Sequence, residues 1–235
     1  MIYIFNALYC EAEPLICEYG LKKKTDETCF PVFFSEKENI LLAVTGCGMN
    51  AATAAVARIC TKRTPQPEDF LVNIGTCAWV SAKNESDETC KNVSGEVYLC
   101  KKITEDVTGR TFYPDILYRH PFVEQEIVTG AMPYRTEYTT ELINKHETVI
   151  KNSAADGFLY DMEASSIYQA GAYFFGPHQM SILKSVPDRG KVLGLSAEIL
   201  KQSVADTVPE IRSYLDELMK IDETKKMQNG KKLEK

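Results

Sequence analysis

The 235-residue sequence has few of the features that mark nucleic-acid-binding, metal-binding or membrane proteins. Acidic residues outnumber basic ones, giving a formal net charge of -6. Because no basic block lies outside the C-terminal segment, we do not expect the chain to bind the phosphate backbone of a nucleic acid. The three histidines and eight cysteines form no CxxC pair and no metal-ligand spacing, so no metal or other cofactor is expected.

Long apolar segments are also missing, so no membrane span is expected. The first residues, MIYIFNALYCEAE, lack a basic beginning, and Asn6 and Glu11 interrupt their apolar run. This pattern is typical of a buried strand rather than a signal peptide. Cysteines without a disulfide or metal pattern predict free thiols in a reducing cytoplasm.

Short apolar runs alternate with helical patterns along the rest of the chain. The strand-like runs are 2–7, 32–34, 40–44, 70–74, 97–103, 126–129, 158–160 and 180–186. The helical patterns are 13–19, 50–62, 137–150, 164–175 and 197–219. This order predicts an α/β fold in which a mixed, largely parallel sheet is flanked by helices in a single three-layer domain. We expect the domain to span 1–221, followed by a charged, disordered tail at 222–235.

The stretch YDMEASSIYQA places two carboxylates, Asp161 and Glu163, at the start of a predicted helix. One interpretation is structural, because acidic residues cap helices and offset the helix dipole by roughly 0.3–1 kcal/mol. A functional interpretation requires a pocket with partners from elsewhere in the chain.

Other acidic residues follow predicted strands in the same way. Glu11 comes after the first strand, and Asp188 comes after SILKSV. Because ligand pockets in open α/β sheets form beyond the carboxyl ends of the strands, Glu11, Glu163 and Asp188 are predicted to gather at one edge. Like charges in such a cluster raise carboxyl pKa values toward those of a general acid.

Several segments carry a resemblance to a known family. NALYCEAEPLI, VTGCGMNAATAA, LVNIGTCAWV, VTGAMPY, YDMEASSIYQA and SVPDRG resemble, in order and approximate spacing, segments of the methylthioadenosine/S-adenosylhomocysteine nucleosidases of the purine nucleoside phosphorylase superfamily. The resemblance covers about 2–215, except that 82–128 match poorly. It implies a nucleoside phosphorylase-like fold, a small nucleoside as partner and a homo-oligomer, commonly a dimer.

The resemblance also implies roles for particular residues. In the family, Glu11 would activate water, Asp188 would protonate the purine at N7, and Glu163 would bind the ribose hydroxyls. Asp161 would be only the helix cap. The remaining implied substrate contacts are Met162 beneath the sugar, Thr76, Cys77 and Ala78 at the sugar or base, and Pro133 and Tyr134 at the base.

The chain departs from the family at three of these segments, which leaves alternatives open. Pro187 stands where the family has serine, Trp79 where it has glycine, and Ala131 where it has aspartate. Hydrolysis of the N-glycosidic bond of a purine nucleoside or 5'-thionucleoside is the leading prediction. The alternatives are phosphorolysis, with phosphate held by Arg110, Arg119 or Arg189, and nucleoside binding without turnover.

The segment 109–122, GRTFYPDILYRHPF, has no counterpart in the resemblance. It is interpreted as a structured surface loop, with a ligand-binding or interface role as the alternative.

Overall fold

An eleven-stranded sheet forms the middle layer of the chain. The computed structural model describes residues 1–27, 29–81, 96–146, 157–187 and 195–233, with backbone alone at 136 and 222–233. The strands are β1 (Ile2–Asn6), β2 (Lys22–Lys23), β3 (Val32–Ser35), β4 (Ile40–Val44), β5 (Phe70–Thr76), β6 (Ala78–Ser81), β7 (Val97–Glu105), β8 (Thr111–Phe112), β9 (Val123–Thr129), β10 (Gly157–Asp161) and β11 (Met180–Ser185).

The strand order is β2-β3-β4-β1-β5-β11-β7-β9-β10-β6, with β8 beside β7. Strands β4, β1, β5 and β11 are parallel to one another, and β7, β9 and β10 form a second parallel group. The two groups meet where β11 and β7 pair antiparallel. The sheet is therefore mixed and largely parallel, as the sequence predicts.

The sheet curves back on itself beside Cys77. This residue alone separates β5, in the middle of the strand order, from β6, at its end. The Cys77 amide donates to the Ser185 carbonyl over 2.9 Å, while Ala78 pairs with Tyr160 on β10. The carboxyl end of β10 is thereby brought beside the carboxyl ends of β5 and β11, and this meeting point positions the site.

Helices cover both faces of the sheet and give the predicted three layers. They are α1 (Tyr9–Glu18), α2 (Met49–Lys62), α3 (Thr139–Lys145), α4 (Ala164–Gly171), α5 (Ala197–Ala205) and α6 (Val208–Leu233). Alternate residues of β1 point to opposite faces, as in any strand. Ile4 packs in a core with α1, α5 and α6, whereas Phe5 packs in a core with α2 and α4.

The predicted elements differ from the observed ones mainly at their ends. The first helix begins at Tyr9 rather than residue 13, so Glu11 lies inside it. The prediction of one helix over 197–219 is wrong: α5 ends at Ala205 and α6 begins at Val208. Pro209 explains the break, because proline is tolerated in a first turn and disrupts a helix interior.

Two predictions fall partly on residues outside the described ranges. The helix over 137–150 is observed as α3, followed by 147–150, which the structure does not describe. The polar, acidic stretch 82–92, which the sequence predicts to be a surface loop, lies outside the described ranges. Helix α6 continues to Leu233, into the segment predicted to be a tail, and the division of the chain at 221 stays a prediction. Across the described ranges, no helix has the length and apolar character needed to cross a bilayer.

Candidate active site at the carboxyl ends of the strands

Glu11 is held rigidly between α1 and the end of β5. Its Oε2 accepts from the Leu8 amide over 3.0 Å, which is a helix-start contact. Its Oε1 accepts from the Thr76 amide over 2.7 Å and from the Thr76 hydroxyl over 2.6 Å. The side chain therefore satisfies a helix terminus and also joins a cluster at the strand ends, so the structural and functional interpretations are compatible.

Glu163 lies on the other side of the same cluster, directly before α4. Its Oε1 accepts from the Gly48 amide over 2.7 Å. Gly48 has φ 91°, a conformation that favours glycine and lets its amide reach the carboxylate. Burial and then the nearby Asp161 charge raise the pKa of Glu163 to about 7, with Glu11 adding to the rise, whereas Lys184 and the Gly48 amide oppose it.

Asp161 forms an ion pair with Lys184 in the interior. Its Oδ2 lies 2.8 Å from the Lys184 Nζ, and both side chains are almost fully buried. The same carboxylate accepts from the Ala164 amide over 2.8 Å and from the Thr129 hydroxyl over 2.8 Å. The bond from Ala164 holds the first amide of α4, although the residue at the N-cap position is Glu163 and not, as predicted, Asp161. The ion pair is a contact that the sequence analysis missed.

Lys184 is the residue of this cluster that sequence reasoning did not identify. Within SILKSV it looks like one polar residue in an apolar strand, and nothing in the spacing indicates a partner. The available signal is physical, because a lysine on a central strand is not buried without a carboxylate. Burial lowers the pKa of Lys184, but the charges of Asp161, Glu163 and Glu11 outweigh burial and raise it.

The three predicted contact residues at 76–78 differ in their burial and in their partners. Thr76 is half-buried and already engaged with Glu11. The Cys77 amide and thiol both donate to the Ser185 carbonyl, the thiol over 3.6 Å, so this residue serves the bend of the sheet. Ala78 is half-buried and packs beside Val80 and Phe158.

Met162, between Asp161 and Glu163 in the sequence, is half-buried. Pro133 is exposed. Tyr134 is only 8% exposed, its ring packs 6.0 Å from that of Tyr160, and its hydroxyl bonds to that of Thr139. The implied roles of Met162, Pro133 and Tyr134 stay predictions.

Tyr160 holds the loop that carries Pro133 and Tyr134 in place. The Tyr160 hydroxyl donates to the Met132 carbonyl over 3.1 Å. The Tyr160 hydroxyl also occupies the space that a side chain at Gly130 would need, because a Cβ there would lie 1.6 Å from the hydroxyl oxygen. Only glycine fits at this position.

Asp188 and Arg189 lie outside the described residues. The strand that precedes them is described, and its last residue, Ser185, pairs with Thr76 at the edge that holds Glu11. Pro187 is half-buried, and Ala131 is exposed.

Trp79 belongs to the core rather than to an open pocket. It is 5% exposed, stacks on Tyr98 with ring centroids 6.2 Å apart, and covers Gly157, where a Cβ would lie 2.6 Å from the indole. A large residue is accommodated here because Gly157 has no side chain.

The segment 109–122 is a structured surface loop over most of its length. Tyr168 donates to the Tyr113 carbonyl over 3.1 Å, Asp115 donates through its amide to the Pro177 carbonyl over 3.1 Å, and Tyr118 packs on Phe70. The side chains of Arg110 and Arg119 are exposed.

Two thiols, Cys10 and Cys47, lie near the acids. Burial raises the pKa of both, and the Glu11 charge raises it further for each, so both thiols are neutral at pH 7. Within the described part of the chain, no group of three His, Cys, Asp or Glu side chains is arranged to hold a metal ion.

No protein-family model and no curated protein sequence matches the chain. Solved structures do. The 5'-methylthioadenosine/S-adenosylhomocysteine nucleosidase of Neisseria meningitidis, in complex with methylthio-immucillin-A, is 18% identical, with a TM-score of 0.65 over 89% of this chain and 97% of that one.

Two further structures are similar to the same extent. The S. pneumoniae enzyme of that name, with a transition-state inhibitor, is 14% identical, with a TM-score of 0.69 over 92% of this chain and 99% of that one. Futalosine hydrolase of Helicobacter pylori is 14% identical, with a TM-score of 0.67 over 92% and 97%. The chain therefore has the fold of these nucleosidases.

Proposed function

We propose that the protein hydrolyses the N-glycosidic bond of a purine nucleoside or 5'-thionucleoside. The observation that carries the proposal is the meeting of Glu11 and Glu163, from distant parts of the sequence, at one edge of the sheet. Breaking the bond builds positive charge on the ribose and negative charge on the departing base. Carboxylates that flank the sugar stabilise the first charge, and a proton donor at the base stabilises the second.

Glu11 is suited to orient and deprotonate the attacking water. A carboxylate offers about four acceptor positions, and the Leu8 amide, the Thr76 amide and the Thr76 hydroxyl fill three of them. These bonds hold the carboxylate in one orientation and, among the described residues, leave one position for a water molecule. Such a base contributes about 10²- to 10⁴-fold in rate.

Glu163 is suited to bind the ribose hydroxyls. Within the described ranges only its Oε1 has a hydrogen bond, from Gly48, so Oε2 is left to accept from a diol. The pKa of about 7 means that the carboxylate ionises near neutral pH, and a cationic sugar favours the ionised form. Met162, directly before it, would pack beneath the sugar.

Asp188 is assigned the role of general acid toward N7 of the base. Its support is its place in the sequence, three residues after Ser185, whose strand ends beside Thr76. Residues 76–78 and the loop with Pro133 and Tyr134 would contact the sugar and base.

The substrate class rests on the similar structures. The Neisseria meningitidis nucleosidase was solved with methylthio-immucillin-A, and the relative from Helicobacter pylori is a futalosine hydrolase. Both names describe enzymes that act on nucleosides, which is the chemistry that the acidic cluster suits.

Phosphorolysis is the second candidate, and the described residues give it less support. A phosphate site needs free cationic groups. Lys184 is paired with Asp161, and Arg110 and Arg119 point to solvent. Nucleoside binding without turnover is the third candidate, because Pro187, Trp79 and Ala131 depart from the family pattern.

We further propose that the protein is a cytoplasmic homodimer. Tyr113 and Tyr173, both beside α4, are 61% and 88% exposed, and a partner subunit would cover such apolar surface. The seven cysteines within the described residues are free thiols, which suits a reducing compartment.

The function is tested by measuring purine release from adenosine, inosine and 5'-methylthioadenosine in phosphate-free buffer. We expect free base from at least one of them, and release about 10²- to 10⁴-fold slower from a Glu11→Gln preparation purified in parallel. A strict requirement for phosphate would select phosphorolysis, and calorimetric binding without release would select the third candidate. Neither release nor binding would contradict all three.

A further inference from the structure

Lys184 is a charged side chain inside a central strand, where a neutral residue is the rule. It lies on β11 in register with Gly75 on β5 and Tyr98 on β7, and it is 2% exposed. Its nearest counter-charge is Asp161, 2.8 Å away. A buried ammonium is costly unless it is paired, so the two residues depend on each other.

The ammonium group also borders the proposed base. A Cβ built on Gly75 would lie 3.5 Å from the Lys184 Nζ and 3.4 Å from the Glu11 Oε1. The two charged groups therefore lie within van der Waals contact of the same point above the glycine.

Among the described residues, the charges around Lys184 do not balance. The charges of three carboxylates act on one ammonium group: Asp161 from β10, which pairs with it directly, and Glu163 before α4 and Glu11 from α1. The thiols of Cys77 and Cys100 also face Lys184, and Cys47 faces Glu163, but burial raises the pKa of all three thiols and they carry no charge at pH 7.

We propose that the buried Lys184–Asp161 ion pair is a positioning pair, which holds the ammonium group beside Glu11 and sets the balance of charge at Glu163 without touching the substrate. Lys184 attracts both glutamates, and Asp161 repels Glu163 while it keeps Lys184 in place. This proposal deepens the proposed function, and its kinetic consequences rest on that function. Its predicted effects on the titration of Glu163 do not depend on that function.

The two members of the pair act on Glu163 with opposite sign. Without Lys184 the glutamate loses an attractive charge, so its titration midpoint moves to higher pH. Without Asp161 it loses a repulsive charge, so its midpoint moves to lower pH. Asp161 is the stronger influence of the two, so removing both moves the midpoint slightly down.

The decisive experiment follows the carboxyl ¹³C signal of Glu163 by NMR in glutamate-labelled protein, assigned by its loss in Glu163→Gln. We expect a midpoint near 7 in the wild type. The midpoint should rise by roughly one pH unit in Lys184→Met, fall by a similar amount in Asp161→Asn, and stay within about half a unit in the double variant. Lys184→Arg, which keeps the charge, should match the wild type.

Identical midpoints in the wild type and Asp161→Asn would overturn the proposal. If Lys184→Met does not fold because Asp161 is left buried without a counter-charge, Asp161→Asn and the neutral double variant still decide the question. A double variant that shifts as far as Asp161→Asn would also contradict a contribution from Lys184.

The kinetic readout is the pH profile of kcat/KM for base release. We expect the acidic limb to move in the same direction as the NMR midpoint in each variant, with Lys184→Arg restoring the wild-type profile. A purely structural role would lower kcat/KM equally at every pH. If the wild type releases no base, the proposed function fails, while the NMR titration still tests the ion pair.

Discussion

Two clusters of charged residues, both at the carboxyl ends of strands, differ in their balance of charge. At the end of β7, Asp106 accepts from both Lys145 and His146, each over 2.8 Å. At the ends of β5, β10 and β11, the charges of three carboxylates act on the ammonium group of Lys184, which pairs directly with Asp161. The first cluster supplies two cationic donors to one carboxylate, whereas in the second, among the described residues, the carboxylates outnumber the cations.

The two clusters shift the pKa values of their acids in opposite directions. Burial opposes the ionisation of Asp106, but the bonds from Lys145 and His146 outweigh burial and lower its pKa. Burial and neighbouring charge together raise the pKa of Glu163 to about 7. A satisfied cluster stabilises a fold, whereas unbalanced negative charge in a dry site is suited to a cationic reaction centre.

The largest effect is expected from removing the charge of Glu11. Glu11→Gln keeps an oxygen for Thr76 but cannot deprotonate water, so kcat/KM for base release should fall about 10²- to 10⁴-fold. The matched control is Glu13→Gln on the same helix, because Glu13 pairs only with the half-exposed Lys201 within the described residues. The control should stay within about twofold of the wild type, and a loss below tenfold in Glu11→Gln would argue against its role.

An intermediate effect is expected in the pH dependence of stability. The folded state holds a proton on Glu163 up to a pKa of about 7, whereas the unfolded chain releases it near 4.5. Stability should therefore fall as pH rises from 4.5 to 7, by roughly 3 kcal/mol relative to Glu163→Gln, and level off above pH 7. Urea unfolding of both proteins across this pH range measures the difference. The same pH dependence of the unfolding free energy in both proteins would contradict the raised pKa of Glu163.

A smaller effect is expected at the balanced cluster. Because the folded-state pKa of Asp106 is lowered, its contribution is present at neutral pH and is lost as pH falls through that lowered value. Asp106→Asn should cost about 1 kcal/mol of unfolding free energy at pH 7 and leave base release within about twofold. A loss of base release well above twofold would instead place this cluster in the reaction.

The sequence predicts the fold well where apolar runs and turn residues agree. Strands β1, β4, β5 and β11 and helix α2 are recovered nearly complete. Strand β6 is missed because it follows β5 after one residue, and its pairing with β10 depends on the curvature of the whole sheet. Short strands β2 and β8, with two residues each, are too brief for a period-two pattern.

The site is predictable to a similar degree and for similar reasons. The rule that ligands bind at the carboxyl ends of strands identifies Glu11 and Glu163 from their place after strands. It does not identify Lys184, which lies inside a strand, or the contact of the Gly48 amide with Glu163, which depends on the fold. The partners of Asp161 also depend on the fold, because Lys184 is 23 residues away in the sequence and adjacent only in space.

The most direct test of the account is a crystal structure with a nucleoside analogue whose glycosidic bond cannot be cleaved. We expect both ribose hydroxyls to lie about 2.6–3.2 Å from the carboxylate of Glu163, with a water molecule between Glu11 and the anomeric position. An analogue bound away from these two glutamates, or with its ribose hydroxyls turned from Glu163, would contradict the account.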